Sequence, residues 1–345
     1  MKKIAIIGHF AFGKEFADGQ TVKTQIIADE LNHRFTANEI EKYDTHNIKK
    51  RLAVLPIQLL ILLSKCKNVI ILPAQNGLIV IATLLAVLNL FFKRELHYIV
   101  IGGWLPEFLE KHSFLIQVLK NFSCIYVETE GMKSKLEKKE LKNIKTLKNC
   151  KKLKVVDESE LIYYEKPPYR ICTFSRVMKE KGIDDAINVV KRINDESGET
   201  LYSLDIYGPI DPKQEEWFKE VENSFPEYIN YNGVVPYDRT SEVLKSYFLL
   251  LFPTRFYTEG HPGTIIDAYA AGLPVVAAEW ENYEDIIDDN TGVGYQFMNE
   301  NDLYDKLNSI IKDNSLINSM KPECLRKANQ FDPSIAVEPL MASLE

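Results

Sequence analysis

Short, nearly continuous runs of Val, Ile, Leu and Tyr alternate with longer helical patterns from one end of the chain to the other. The first half offers IAIIGH (4–9), NVIILPA (68–74), LHYIVIGG (96–103) and CIYVET (124–129). Helical spacing falls between them near 21–34, 50–65, 77–92 and 113–121. The second half offers YRICTFS (169–175), YSLDIYG (202–208), INYNGVV (229–235), FLLLFPT (248–254) and PVVAA (274–278). Strands without polar alternation, separated by helices, are strands of a parallel sheet buried on both faces. The pattern restarts near Tyr169, after a polar stretch holding Pro167-Pro168. An α/β chain with two doubly wound domains is therefore expected, with a ligand in the cleft at the carboxyl ends of the strands. The expected boundaries are 1–160 and 161–330, with a C-terminal helix at about 331–345 packing back on the first domain.

Length agrees, since 345 residues exceed one ordinary core and suit two domains. A hydrophobic fraction of 46% and a charged fraction of 26% fit a globular chain. Charge is unevenly spread. Residues 1–155 hold 25 Lys/Arg against 14 Asp/Glu, a balance of +11, and the remainder holds 17 against 35, a balance of −18, summing to −7. The basic excess peaks from Lys133 to Lys154. Two readings of that run stand side by side: a surface that meets anionic lipid, or a solvated helix face with Glu137 and Glu140 as partners. The run lacks interleaved aromatics, so nucleic acid is not expected as a partner. Met1-Lys2-Lys3 leads straight into IAIIG, so no signal peptide is expected. The run Gly77–Phe92 falls short of the ~20 apolar residues of a bilayer crossing and reads as a helix buried within a domain. Five scattered cysteines without metal-ligand spacing read as reduced packing residues of a cytoplasmic protein.

Two familiar phosphate motifs fail. Gly8 to Lys14 has the spacing of a P-loop, but Glu15 stands where Ser or Thr must hold magnesium. The first strand does not lead into G-x-G-x-x-G, which disfavours a dinucleotide.

The chemistry concentrates in two segments of the second half. Pro253–Trp280 runs from a strand end through a Gly- and Pro-rich loop into a helix and another strand. Thr264 and Asp267 have the spacing of a capping box, while Gly260, Pro262 and Gly263 keep side chains away from the helix mouth. The amides of that first turn form an anion site suited to a diphosphate. Glu259 lies at the lip of the same loop, where a carboxylate accepts from sugar hydroxyls. In Phe174–Val190, a strand delivers Ser175 and Arg176, and Lys181-Gly182 precedes a helix with Asp184 and Asp185 in its first turn. Arg176 offers a planar fork and Lys181 a point charge to phosphate oxygens. On the first domain, His9 and the Gly102-Gly103-Trp104 loop follow strands and are the acceptor-side candidates, although a first-strand histidine that simply packs accounts better for His9, and a core anchor accounts equally for Trp104.

Together these segments resemble the donor half of glycosyltransferase family 4, group 1, which has the GT-B fold of two Rossmann-like domains, and surface-polysaccharide transferases in particular. The matching residues are Arg176, Lys181-Gly182, Glu259-Gly260-His261-Pro262, Asp267 and Gly272-Leu273-Pro274-Val275-Val276; Asp18-Gly19-Gln20-Thr21-Val22-Lys23-Thr24 looks like the family's glycine loop. The resemblance implies that Glu259 binds the donor sugar and Asp267 the ribose. It also implies that Arg176 and Lys181 neutralise the diphosphate, helped by the backbone around Gly263 and Thr264. Gly19, Gln20, Ser175, Gly208, Val234, Val235, His261 and Pro262 complete the donor contacts it implies. Asp267 stands where the family usually has Glu, and His261 where an apolar residue is common.

The implied reaction is retaining, metal-independent transfer of a hexose-type sugar from a nucleotide-sugar, with uridine the commoner base. The acceptor is a glycan or lipid-linked glycan at the inner face of a membrane, and the nucleotide-sugar is a co-substrate, with no cofactor. A sugar-nucleotide epimerase of the same fold and a non-catalytic nucleotide-sugar-binding protein are the alternatives.

Overall fold

A computed structural model describes residues 2–12, 19–46 and 52–344. Among these the chain divides into two compact units, residues 1–152 with 331–345, and residues 153–330. Residues 153–160 lie with the second unit, where the Val156 amide donates to Ala270.

The first unit alternates strand and helix: β1 (Lys2–Gly8), α1 (Gly19–Arg34), β2 (Ile40–Asp44), α2 (Leu55–Lys65), β3 (Cys66–Ile71), α3 (Gln75–Phe92), β4 (Glu95–Ile99), α4 (Leu105–Lys111), α5 (Phe114–Leu119), β5 (Cys124–Val127), α6 (Glu130–Lys138) and β6 (Ile144–Thr146). Its strands form one parallel sheet in the order β2-β1-β3-β4-β5-β6. Alternate side chains divide between the two faces. Ala5, Ile7, Val69, Ile71, Leu96 and Tyr98 pack under α2 to α6. Ile4, Ile6, Ile70, Ile99 and Tyr126 pack under α1 and the C-terminal segment.

The second unit repeats the plan with β7 (Tyr169–Phe174), α7 (Ile183–Ser197), β8 (Tyr202–Tyr207), α8 (Glu215–Glu222), β9 (Ile229–Tyr231), α9 (Thr240–Leu244), β10 (Leu249–Phe252), α10 (Gly263–Ala270), β11 (Val275–Ala278), β12 (Gly292–Tyr295), α11 (Glu300–Lys312) and α12 (Ser315–Ala328). Its parallel sheet runs β12-β11-β10-β7-β8-β9. Helix α7 shows why such elements form. Ile183, Ile187 and Val190 make a buried stripe at helical spacing, Asp184 and Asp185 favour the positive end, and Gly198 ends it in the left-handed conformation. The chain then returns to the first unit through α13 (Pro333–Ala336) and α14 (Glu338–Met341), two short turns in place of one continuous helix. Their Val337, Leu340 and Met341 enter the core beside Ile27 and Leu31 of α1.

Three readings of the sequence are corrected. Helix α3 exists but is buried along one stripe only, Leu78, Ile81, Ala82 and Leu85; its opposite side is apolar as well. The pattern INYNGVV stops being a strand at Tyr231, which leaves Val234 and Val235 in the following loop. The stretch from Gly19 to Thr24 opens α1 as regular helix instead of forming a loop, while Asp18 and the P-loop-like Gly13, Lys14 and Glu15 lie outside the described residues. All five cysteines are buried. The lysine run spreads over α6, β6 and the segment after it, and pairs widely: Lys133 with Glu130 at 3.3 Å, Lys139 with Glu110 at 2.9 Å and Lys152 with Asp29 at 2.8 Å. Glu140 pairs outside the run, with Lys120 at 2.9 Å.

Candidate active site in the second unit

In an open parallel sheet, a ligand crevice opens where neighbouring strands send their connections in opposite directions. In the second unit that switch point lies between β7, which leads to β8 on one side, and β10 on the other. The residues that leave the carboxyl ends of these two strands are those singled out by chemistry. β7 delivers Ser175, Arg176 and the turn Lys179–Gly182; β10 delivers Pro253, Thr254, Arg255 and, further along, Glu259.

The two loops are stitched together. The Lys181 ammonium contacts the Glu259 carboxylate, both side chains being only 18% exposed. Thr254 Oγ1 donates to Glu259 Oε1 at 3.2 Å. The Arg255 amide donates to the Glu180 carbonyl at 2.9 Å, and its guanidinium grips Asp185 on α7, with Nε 3.1 Å from Oδ2. The hydrogen bond to Asp185 holds the Arg255 guanidinium above its ordinary value against the opposing effect of burial. Gly182 makes the closest approach: with φ of +68° it lies so near Pro253 that a Cβ would sit 1.8 Å from the Pro253 carbonyl oxygen. Only glycine meets both demands.

Aromatic faces complete the surroundings of the cation. Lys181 Nζ lies 5.6 Å from the Phe252 ring centre and 5.0 Å from that of Phe256. From β11, the Asn282 side chain donates to the Glu259 carbonyl at 2.7 Å and the Glu281 amide to Tyr257 at 3.0 Å, so a third loop fixes the backbone that carries the carboxylate.

Helix α10 aims its N-terminus at the same strand ends. Its N-cap is Pro262, and no side chain caps it. The capping box expected of Thr264 and Asp267 is absent for a geometric reason. Thr264 lies inside the helix, and its hydroxyl donates to the carbonyl of Phe174, the last residue of β7. Asp267 is buried and receives the Thr240 hydroxyl at 3.4 Å. The helix mouth is thereby tied to β7, and no side-chain cap bonds its N-terminus.

The other predicted residues are distributed more widely. Arg176 is exposed and turned to Asp211, at 3.6 Å. Ser175 is half-buried, its amide donating to Tyr207. Gly208 has φ of +130° and backs onto the Ser175 carbonyl so closely that a Cβ would lie 1.9 Å from its oxygen. Its amide holds the Gly233 carbonyl at 2.8 Å, which brings the loop carrying Val234 and Val235 to the end of β8; Val234 is 63% exposed. His261, Pro262 and Gly260 are buried within the Glu259 loop, and Gly263 is partly so.

In the first unit, His9 follows β1 at that sheet's own switch point, between β1 and β3. Its Nδ1 is 2.7 Å from Thr21 Oγ1 and its Nε2 3.1 Å from His46 Nδ1. Gln20 reaches the Leu72 carbonyl at 3.0 Å. Gly103 is buried, and Trp104 donates to the Ile101 carbonyl at 2.8 Å and packs edge-on against Phe108, as a core anchor does.

Thr254, Phe256, Asp211 and Asn282 were not anticipated, nor was Asp185 as the partner of Arg255. The position of Thr254 two residues past a buried strand was a usable signal; the others act through contacts that no local spacing encodes.

Residues 168–313, most of the second unit, match the sequence family Glycosyl transferases group 1. No curated protein matches the chain. Solved structures do. Anabaena HepE in complex with UDP and glucose has a TM-score of 0.73 at 13% identity, over 100% of this chain and 99% of its own. The sucrose-phosphate synthase of Thermosynechococcus elongatus has a TM-score of 0.74 at 12% identity, over 99% and 98%. The pneumococcal O-GlcNAc transferase GtfA in complex with UDP and GlcNAc has a TM-score of 0.66 at 17% identity, over 85% of this chain and 60% of its own. The likeness is one of fold: two Rossmann-like units in one chain, the GT-B class.

Proposed function

We propose that this chain is a retaining, metal-independent glycosyltransferase of family 4 that moves a hexose-type sugar from a UDP-sugar to a glycan or lipid-linked glycan in surface-polysaccharide synthesis. The observation that carries the reading is the Lys181–Glu259 pair at the switch point of the second sheet, inside the segment that matches group 1 glycosyl transferases. The UDP bound to HepE and to GtfA, structures of the same fold, supports uridine as the base.

In this reading the donor diphosphate lies over the mouth of α10, where the dipole and first-turn amides favour an anion. Lys181 and Arg176 offset its charge, and Glu259 accepts from hydroxyls of the donor sugar. The acceptor hydroxyl attacks from the side the diphosphate is leaving. The bond from the anomeric carbon to the β-phosphate oxygen breaks as that to the acceptor oxygen forms. The acceptor's proton passes to the departing phosphate oxygen. Negative charge grows on the diphosphate during this step, so Arg176 and Lys181 act more strongly on the transition state than on the bound donor.

Thermal melting with UDP-, GDP-, ADP- and dTDP-sugars tests the assignment. At a hundred times its dissociation constant a ligand adds about 2.7 kcal/mol. A rise of several degrees with one nucleotide class, lost in Arg176→Ala, is expected. No rise with any of the four sinks the transferase reading and leaves the fold intact.

A further inference from the structure

Helices α2, α3 and α5 lie side by side on one face of the first sheet, α3 packing between the other two. Their inner stripes enter the core. Their outer stripes, where polar side chains belong in a soluble helix, are apolar too. On α2, Ile57, Leu60 and Ile61 face out at helical spacing, Ile57 being 60% exposed. On α3, Val87, Leu90 and Phe91 do the same, Leu90 at 68% and Phe91 at 83%, and Phe114 of α5 adjoins them. Helix α3 is as long and apolar as a membrane span, with a mean hydropathy of 1.9 over 18 residues, yet only 22% of it is buried.

The charges within the α2–α3 segment have one sign. From Leu52 to Arg94 the sequence holds Lys65, Lys67, Lys93 and Arg94 and no Asp or Glu. Lys65 ends α2 and Lys93 follows α3, and the pairing of Asn68 with Glu95 in neighbouring strands brings these two ends together. Arg94 Nε is fastened to the Leu63 carbonyl at 2.8 Å, which ties that end of α3 to α2. A broad hydrocarbon surface with a predominantly cationic rim, in which Glu95 is outnumbered by Lys65, Lys67, Lys93 and Arg94, complements the headgroup boundary of an anionic bilayer. A second copy of the chain fits less well, because it would bring two basic rims together.

We infer that the outer face of α2 and α3, with Lys65, Lys67 and Lys93 at its rim, docks onto an anionic lipid bilayer. Ile57, Leu60, Ile61, Leu90 and Phe91 enter the acyl boundary, and the rim lysines meet lipid phosphates. The chain lies on the membrane with α3 packed on its own sheet, so α3 does not cross. The Lys133–Lys154 run, much of it paired within the fold, is not the docking surface. The inference bears on the lipid-linked acceptor proposed above but stands apart from the donor chemistry.

Flotation of the full chain with phosphatidylcholine vesicles, with and without phosphatidylglycerol, tests it at low salt. The unaltered chain should float with anionic vesicles. Ile57→Glu/Phe91→Glu should lower the bound fraction at least about tenfold, and Lys65→Glu/Lys93→Glu should remove the preference for anionic lipid. Lys135→Glu/Lys138→Glu should change binding less than about twofold. Failure of the unaltered chain to float, or loss confined to the Lys135/Lys138 variant, overturns the inference. So does a vesicle-free sedimentation run in which the Ile57/Phe91 variant turns an oligomer into a monomer, since the face then joins copies of the chain. Melting with UDP-sugars is read on the same variants: a chain that floats but ignores every donor refutes the proposed activity and not the docking face.

Discussion

Lys181 and Glu259, 78 residues apart in sequence, meet as an ion pair. The cation proposed for the diphosphate is thus held by the carboxylate proposed for the sugar. On the proposed function, a donor draws Lys181 toward its phosphates, which releases Glu259 toward its hydroxyls. Glu259→Gln keeps the shape and removes the competing charge. UDP, which has the diphosphate without the sugar, should bind this variant as well as the unaltered protein or up to about fivefold better, the worth of a partly exposed ion pair. Turnover should fall at least about a hundredfold. Calorimetric titration and a transfer assay measure the two; weaker UDP binding by the variant would rule out the competition.

Gly182→Ala asks for two impossible things at once. The left-handed backbone costs an alanine about 1 to 2 kcal/mol, and its Cβ would overlap the Pro253 carbonyl. The melting point should drop by several degrees and the response to UDP-sugars should vanish with it. An unchanged melting point would mean that the turn and the β10 loop do not touch in solution.

Arg255 binds Asp185 through two nitrogens and so anchors the loop leading to Glu259 on α7. Arg255→Met should cost about 1 to 2 kcal/mol, more than Arg192→Met, whose pair with Glu196 is open to solvent. Hydrogen exchange should quicken over 254–262 in the first variant alone. Equal exchange in both would remove the anchoring role.

Burial lowers the Lys321 ammonium to about 8, from 10.5, while its Nζ donates to the Tyr247 carbonyl at 2.9 Å. The folded state binds the proton less tightly than the unfolded chain, so the burdened charge weakens the fold fully below pH 8. That loss is relieved as pH rises from 8 toward 10.5, over a range of about 3 kcal/mol. Denaturant titrations of the protein and of Lys321→Met should show their stability difference moving in favour of the unaltered protein between pH 8 and 9.5. A difference independent of pH would mean that the lysine is solvated.

The sequence revealed the interior strands and one edge strand, β9, and missed β2, β6 and β12, which are the other three sheet edges. An edge strand is covered on fewer sides, so Ile40–Asp44 can carry Glu and Lys, Ile144–Thr146 can be three residues long, and Gly292–Tyr295 can contain two glycines. The same reasoning covers the site. The placing of Arg176, Lys181 and Glu259 in the loops that leave β7 and β10 was legible, because those loops follow plainly buried strands. The supposed cap at Thr264 misled because its spacing suits two bonds equally, and only the fold brings the Phe174 carbonyl within reach.

The order in which the two cores close follows from the chain's path. The second unit is one unbroken stretch, whereas the first is interrupted after Lys152 and resumes at Phe331. On the ribosome, residues 153–330 can condense as soon as they emerge. The earlier-made sheet must wait, with Ile27, Leu31 and Tyr126 uncovered, until Val337, Leu340, Met341 and Leu344 arrive to seal it. The half synthesised first is the half that finishes last.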